Sequence, residues 1–296
     1  MGYRNVSLFG VDVLLRVPDT VTNAVRSAIG LRHYDLDQKV MERNAVAIAP
    51  ITPTMAPEAR AILERIGQVP MWYHTIELGH GVVTPGGFDH RPYLSQYPIP
   101  ASLDGKRVLD VATYDGFWAF ELERRGAAEV VAIDLDLVGM LDLPVPARRR
   151  MTESELQQKL GVGFNLCREI LGSNVRREIL SVYDLDEQRL GTFDFVFMSD
   201  LLLHLMNPMK ALQNVCKVTD GTALIVETFD PNLPGELMEF QGGVSDCVWW
   251  RMSYGALEKM VKEAGFASVE CVAKFPIGQT GESPWLWHAA FRCSSR

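Results

Sequence analysis

The 296-residue sequence has no uninterrupted apolar run near the roughly 20 residues that a membrane-spanning helix needs. Its start, MGYRNVSLFGVDVLLRVPD, lacks a basic stretch followed by a clean apolar one, so no export signal is expected and the chain reads as cytoplasmic. Cysteine is scarce. Cys167, Cys216, Cys247, Cys271 and Cys293 are five, an odd number, with no C-x-x-C pair, which argues against both a disulfide framework and a zinc site. No other cluster has metal-ligand spacing, and no metal is expected. Positive charge is also short: the net charge is −8, which argues against a broadly basic surface of the kind that gives nucleic-acid binding its affinity. The dinucleotide fingerprint G-x-G-x-x-G is missing, because residues 112, 114 and 117 are Ala, Tyr and Phe.

What is present is an ordinary globular composition, 47% apolar and 22% charged. From Lys106 the chain alternates strand-like with helix-like blocks, the pattern of an α/β protein with a parallel sheet and crossover helices. RVLDV (107–111) reads as a buried strand and GFWAFELERRGA (116–127) as a helix with Asp115 as its N-cap. EVVAIDLD (129–136) is a second strand, 152–171 one helix, and 175–185 carries the third strand. TFDFVFMSDLLLHL (192–205) is a fourth strand running into a loop, 207–218 a helix and 221–229 a fifth strand. After an insertion, 253–266 is helical and 267–275 and 284–293 are the last two strands. Residues 1–60 are hard to read, with apolar stretches at Val11–Leu15 and Ala45–Ile51 among turn signals at Pro18, Pro50, Pro53 and Pro57, before a helical PEARAILERIG. Residues 70–100, rich in aromatics, His, Gly and Pro, read as an ordered irregular segment resting on another surface.

The segment 107–136 carries the chemistry. A strand, a tight turn ending in Gly, a helix and a strand ending in acid form one nucleotide-binding βαβ unit. Ligands of such sheets bind beyond the carboxyl ends of the strands, so Asp110 and Asp134 face one crevice, and Asp134 has the paired acceptor oxygens to hold two ribose hydroxyls. V-L-D-V-A-T-Y-D-G-F-W, with E-R-R-G-A and V-V-A-I-D, resembles motif I of class I S-adenosylmethionine-dependent methyltransferases. With WYHTIEL and TPGGFDHRP, the likeness narrows to the branch of tRNA wobble-uridine (5-oxyacetic acid) methyltransferase-like proteins, over roughly residues 70 to 293. It implies a Rossmann-like seven-stranded class I sheet in residues 101–296. Residues 1–100 are expected to form an N-terminal extension and substrate or cofactor lid, and the pattern of the N-terminal region leaves capping of the pocket and homodimerisation both open. The likeness also implies the cofactor S-adenosyl-L-methionine, with Asp110, Ala112 and Gly116 along its methionyl side, Asp134 on the ribose, Asp184 beside the adenine amino group and Ser199 near the methyl. The sequence departs from D-x-G-x-G-x-G, with Ala112 and Tyr114 standing at two glycine places.

Methyl transfer needs positioning and, for a hydroxyl acceptor, removal of a proton. Asp200 and His204, after the fourth strand, are candidates for that role, His204 as general base. The alternative for His204 is packing beneath the cofactor. His74, with Trp72 and Tyr73, is expected to close over the cofactor or acceptor, whereas His80 and His90 are less compelling. Glu227 is a candidate acceptor contact, as are Trp249, Trp250 and Arg251, whose aromatic walls and single cation suit a planar or sugar-like acceptor; core packing is the competing role for both tryptophans. A small-molecule hydroxyl is the expected acceptor, with tRNA as the alternative.

Overall fold

The computed structural model describes residues 2–8, 11–17, 48–52, 54–242, 247–277 and 286–295. The apolar and turn signals read within 18–47, and positions 284 and 285 of the expected last strand, lie outside the described residues. Two compact units divide the chain, Met1–Asp35 and Leu36–Arg296. In the first, β1 (Gly2–Leu8) pairs antiparallel with β2 (Val11–Val17).

The second unit begins with α1 (Pro57–Ile66), where Pro57 sits in the first turn, the one place a helix tolerates it, and Ala59, Ile62, Leu63 and Ile66 form the buried stripe. The nucleotide-binding unit follows as β3 (Arg107–Val111), α2 (Phe117–Arg124) and β4 (Glu129–Asp134). Three helices, α3 (Val145–Arg150), α4 (Glu153–Leu156) and α5 (Val162–Leu171), lead to β5 (Arg176–Ile179). Next come α6 (Glu187–Leu190), β6 (Phe193–Ser199), α7 (Pro208–Val218) and β7 (Thr219–Phe229). The insertion holds the small antiparallel pair β8 (Met238–Phe240) and β9 (Trp250–Met252), and α8 (Tyr254–Lys262), β10 (Ser268–Ile277) and β11 (Leu286–Ser294) complete the chain.

Seven strands form one sheet in the order β10-β11-β7-β6-β3-β4-β5, parallel from β7 to β5, with β11 antiparallel to both of its neighbours. This is the α/β arrangement expected from the sequence. Val108, Phe195, Phe197, Leu224 and Val226 bury one face against α1, α2, α5 and the 70–100 segment. Leu109, Val196, Met198 and Ile225 bury the other against α7 and α8. With both faces covered, the central strands β3, β4 and β6 are largely apolar, which makes them readable, whereas the edge strand β5, RREI, is charged and at most half-buried. The connections leave β3 and β6 toward opposite edges, so a crevice opens at their carboxyl ends. Among the described residues, no helix is long and apolar enough to cross a membrane.

Three local expectations are corrected. Residues 152–171 are not one helix: α4 ends at Leu156, and Gly161, left-handed at φ 73°, starts α5 afresh after Leu160 N–H bonds to Asp136 O at 2.8 Å. The third strand shortens to Arg176–Ile179, because the chain then turns through a 3-10 segment, Val182–Asp184, capped by Ser181. Asp115 is not the N-cap of α2; left-handed Gly116 is, with no side-chain cap, and the Asp115 carboxylate is engaged elsewhere.

Candidate active site

The turn between β3 and α2 keeps a glycine-like shape without most of its glycines. Ala112 (φ 63°), Tyr114 (φ 46°) and Gly116 (φ 92°) are all left-handed. A side chain at Gly116 is barred by sterics as well, since a Cβ there would lie 2.5 Å from Phe120 and 2.7 Å from Phe164. Asp134, at the end of β4, holds the turn: Tyr114 N–H donates to its Oδ2 and Leu135 N–H to its Oδ1, both at 2.7 Å. Burial raises the Asp134 carboxyl, and these backbone donors oppose the rise. Asp110 is 1% exposed, is pushed up to about 7 by burial, and its Oδ2 has no hydrogen-bond partner. A buried carboxylate oxygen without a partner is costly and marks a place where a ligand's donor or cation fits. Asp184 lies exposed in the 3-10 turn after β5.

The 70–100 segment is fastened to this turn by Asp115, whose Oδ2 accepts the N–H groups of Tyr73 (2.6 Å) and His74 (3.0 Å). Burial pushes the Asp115 carboxyl up to about 7. Gly86 lets the segment fold on itself, because a Cβ there would come within 2.2 Å of the His74 main chain. Tyr73 stacks on Phe88 (4.6 Å) and faces the Tyr114 ring at 5.0 Å, so the aromatic residue in the glycine's place turns toward this cover. His74 is 4% exposed, stacks on Phe117 at 5.7 Å, and burial lowers it well below the usual histidine range. His90 bonds Tyr97 Oη through Nδ1 at 3.1 Å and is lowered by burial to about 4. Trp72 instead belongs to the core, donating its indole N–H to Ile66 O at 3.2 Å.

The carboxyl ends of β6 and β7 bring the remaining titratable groups together. Asp200 is left-handed (φ 51°), accepts the Ser199 hydroxyl on Oδ2 at 2.9 Å, and has Oδ1 3.0 Å from His288 Nε2. Burial raises its carboxyl, but His288 and His90 outweigh burial and leave it below the ordinary value. Glu227, 1% exposed, accepts Leu202 N–H and Thr228 N–H, and burial with the nearby Asp200 charge pushes it up to about 8. Two neighbouring carboxyls are thus driven apart in acidity, Asp200 ionised and Glu227 protonated near neutrality. His204 Nδ1 lies 2.7 Å from Cys247 O, and burial lowers this histidine. A carbonyl only accepts, so Nδ1 carries the proton and Nε2 the lone pair.

The insertion does not present its aromatic residues as walls with a free cation. Trp249 is 8% exposed and donates its indole N–H to Asp142 O, while that of Trp250 bonds Leu205 O at 3.0 Å. Arg251 is paired with Asp230 at 3.2 Å and with Glu239. His288 is the site residue that sequence reading missed. Its signal was a polar residue at an inward position of the otherwise apolar LWHAAF.

The methyltransferase-domain family matches residues 89–271. The tRNA U34 carboxymethyltransferase of Actinobacillus pleuropneumoniae serotype 3 (strain JL03) is 24% identical over 265 residues, spanning 82% of this chain and 72% of that protein. That of Haemophilus influenzae (strain PittGG) is 24% identical over 255 residues, with the same two shares, 82% and 72%. Among solved structures, the N-terminal domain of EvdMO1, crystallised in the presence of SAH and D-fucose, has a TM-score of 0.53 at 17% identity, covering 83% of this chain and 100% of that one, a likeness of fold.

Proposed function

The chain belongs to the methyltransferase-domain family, and from that membership we propose that it methylates the hydroxyl oxygen of a small molecule. The cofactor is S-adenosyl-L-methionine, which supplies an electrophilic methyl on a sulfonium. The residues at the crevice fit it: Asp134 offers carboxylate oxygens at the end of β4, and the unpartnered buried Oδ2 of Asp110 suits a cationic ligand. A ligand whose ribose lies at β4 has its reacting end across β3, toward Asp200 and His204 after β6 and Glu227 near the end of β7.

One observation carries the choice of acceptor. His204 is lowered by burial and bonds Cys247 O through Nδ1, which leaves Nε2 of the neutral ring as a lone-pair atom close enough to Asp200 to feel its charge. Such a ring takes the proton of a hydroxyl as its oxygen attacks, and the ionised Asp200 stabilises the imidazolium that results. Tyr73 and His74, fastened to the turn by Asp115, stand over this end, and a small acceptor suits a site placed beneath them. The test is transfer of labelled methyl to a panel of hydroxylated small molecules. His204→Gln is expected to lower turnover by about 100-fold while cofactor affinity holds, in line with the usual worth of a general base. Undiminished turnover would leave His204 a packing role only.

A second reading follows from the named relatives and from α3, whose Arg148, Arg149 and Arg150 are exposed. Under it the acceptor is the wobble uridine of a tRNA, and tRNA affinity would fall steeply with salt. Tight, salt-sensitive tRNA binding that weakens in an Arg149→Ala, Arg150→Ala variant would favour it over the small-molecule acceptor.

A further inference from the structure

We infer that His288, on the final strand, is a positioning residue that holds Asp200 for the transfer step, an inference that rests on the hydroxyl-acceptor reading. β11 runs beside β7 with His288 opposite Thr228, and it stacks on Phe275 of β10 at 5.7 Å, nearly parallel at 12°. His288 is 2% exposed in a strand otherwise built for the core, so its nitrogens need partners. Nδ1 sits 2.9 Å from Leu286 O, which fixes the ring in its own strand. With Nδ1–H given to Leu286 O, Nε2 faces Asp200 Oδ1 at 3.0 Å and donates to it when the ring carries both protons as an imidazolium.

The geometry around Asp200 separates a positioning role from a simple strap between strands. A non-glycine residue at φ 51° persists only where its surroundings over-determine it. Here the Asp200 N–H bond to Val226 O (3.0 Å), the Ser199 hydroxyl and the His288 ring do so. His288 Nε2 stands 3.0 Å from Oδ1, and Oδ1 is buried with an acceptor position left unmet. The open position sits among the groups that respond to the Asp200 charge: His204 and Glu227 from the sheet ends, and Tyr73, His74, His90 and Tyr97 from the covering segment. Within that ring His288 makes the direct contact that keeps the carboxylate both oriented and charged.

The test uses the full chain, with the hydroxylated acceptor found by the screen above, and compares His288→Gln, Asp200→Asn and the double variant. His288→Gln is expected to lower kcat about 10- to 100-fold, the usual effect of small misplacement, with the dissociation constant for S-adenosylmethionine within about twofold of the parent. The acid limb of its kcat profile should move to higher pH, because burial acts on Asp200 unopposed by His288. The double variant should be no slower than Asp200→Asn. A strap would lower the melting temperature without moving the acid limb. Unchanged kcat and acid limb in folded His288→Gln overturn the inference. Should that variant not fold, an unchanged acid limb in Asp200→Asn overturns it equally. Absence of any methylated product from the parent protein would overturn the acceptor reading together with this one, whereas product with an indifferent His288→Gln overturns this one alone.

Discussion

The Asp134 carboxylate accepts the main-chain N–H of Tyr114 across 2.7 Å, tying the turn after β3 to the end of β4. One side chain therefore shapes the turn at the carboxyl ends of β3 and β4, where we propose that the cofactor's ribose lies. Asp134→Ala is expected to weaken S-adenosylmethionine binding by about 1–3 kcal/mol, roughly 5- to 150-fold, the cost of losing a hydrogen-bonding carboxylate. Calorimetric titration checks it; unchanged affinity would dismiss the ribose assignment.

Ala112 holds a left-handed backbone, φ 63°, that costs an L-residue about 1–2 kcal/mol and glycine almost nothing. Ala112→Gly should raise the stability of the ligand-free protein by about 0.4–1 kcal/mol, the strain relief being partly offset by greater freedom of the unfolded chain. Denaturant titration reads it. No gain, or a loss, would mean that the Ala112 methyl contributes packing worth more than the strain.

Removing Asp115 should loosen the covering segment before it loosens the sheet. In Asp115→Ala the N–H groups of Tyr73 and His74 lose their acceptor, at about 1–3 kcal/mol for each buried group left unmade. Hydrogen exchange across residues 70–97 should accelerate while β3, β4 and β6 stay protected. Uniform acceleration would mean that the segment is not a separate unit of stability.

Acidity adds a pH dependence with a definite sign. Asp110 and Asp115 are raised from 3.8 to about 7, and Glu227 from 4.5 to about 8, in each case chiefly by burial. Groups raised on folding contribute stability that is intact below their unfolded values and lost as pH rises through the folded ones. His74, His90 and His204, lowered by burial, act in the opposite sense up to about pH 6.5, so the melting temperature of the ligand-free protein should fall between about pH 6.5 and pH 8.5, and Glu227→Gln should flatten the upper part of that fall. Asp200, lowered on folding, acts in the opposite sense only at acid pH. A melting temperature that rises across the interval would contradict the burial of these acids.

The fold was legible because central parallel strands covered on both faces are mostly apolar, as in RVLDV and FDFVFMS, and because an acid ends β4. Element ends were less so. Asp115 matches the composition of an N-cap, yet its carboxylate serves residues some forty positions earlier, which no local pattern reveals. Gly161 reads as a tolerable helix glycine until its φ of 73° shows a break. Arg251 looked like a free cation because Glu239 comes to it only through the β8–β9 pairing. The candidate site could be read locally where one βαβ unit, Asp110 to Asp134, carries it. It was illegible where it needs partners from distant strands, as His288 does for Asp200.

Asp115 adjoins the cofactor turn on one side and fastens the covering segment on the other. The two halves of the crevice therefore share a single hinge pin, and what settles at one half is felt at the other. In kinetic terms the enzyme should take its substrates in a compulsory order, donor ahead of acceptor, since the chamber for the second is completed by the element that registers the first.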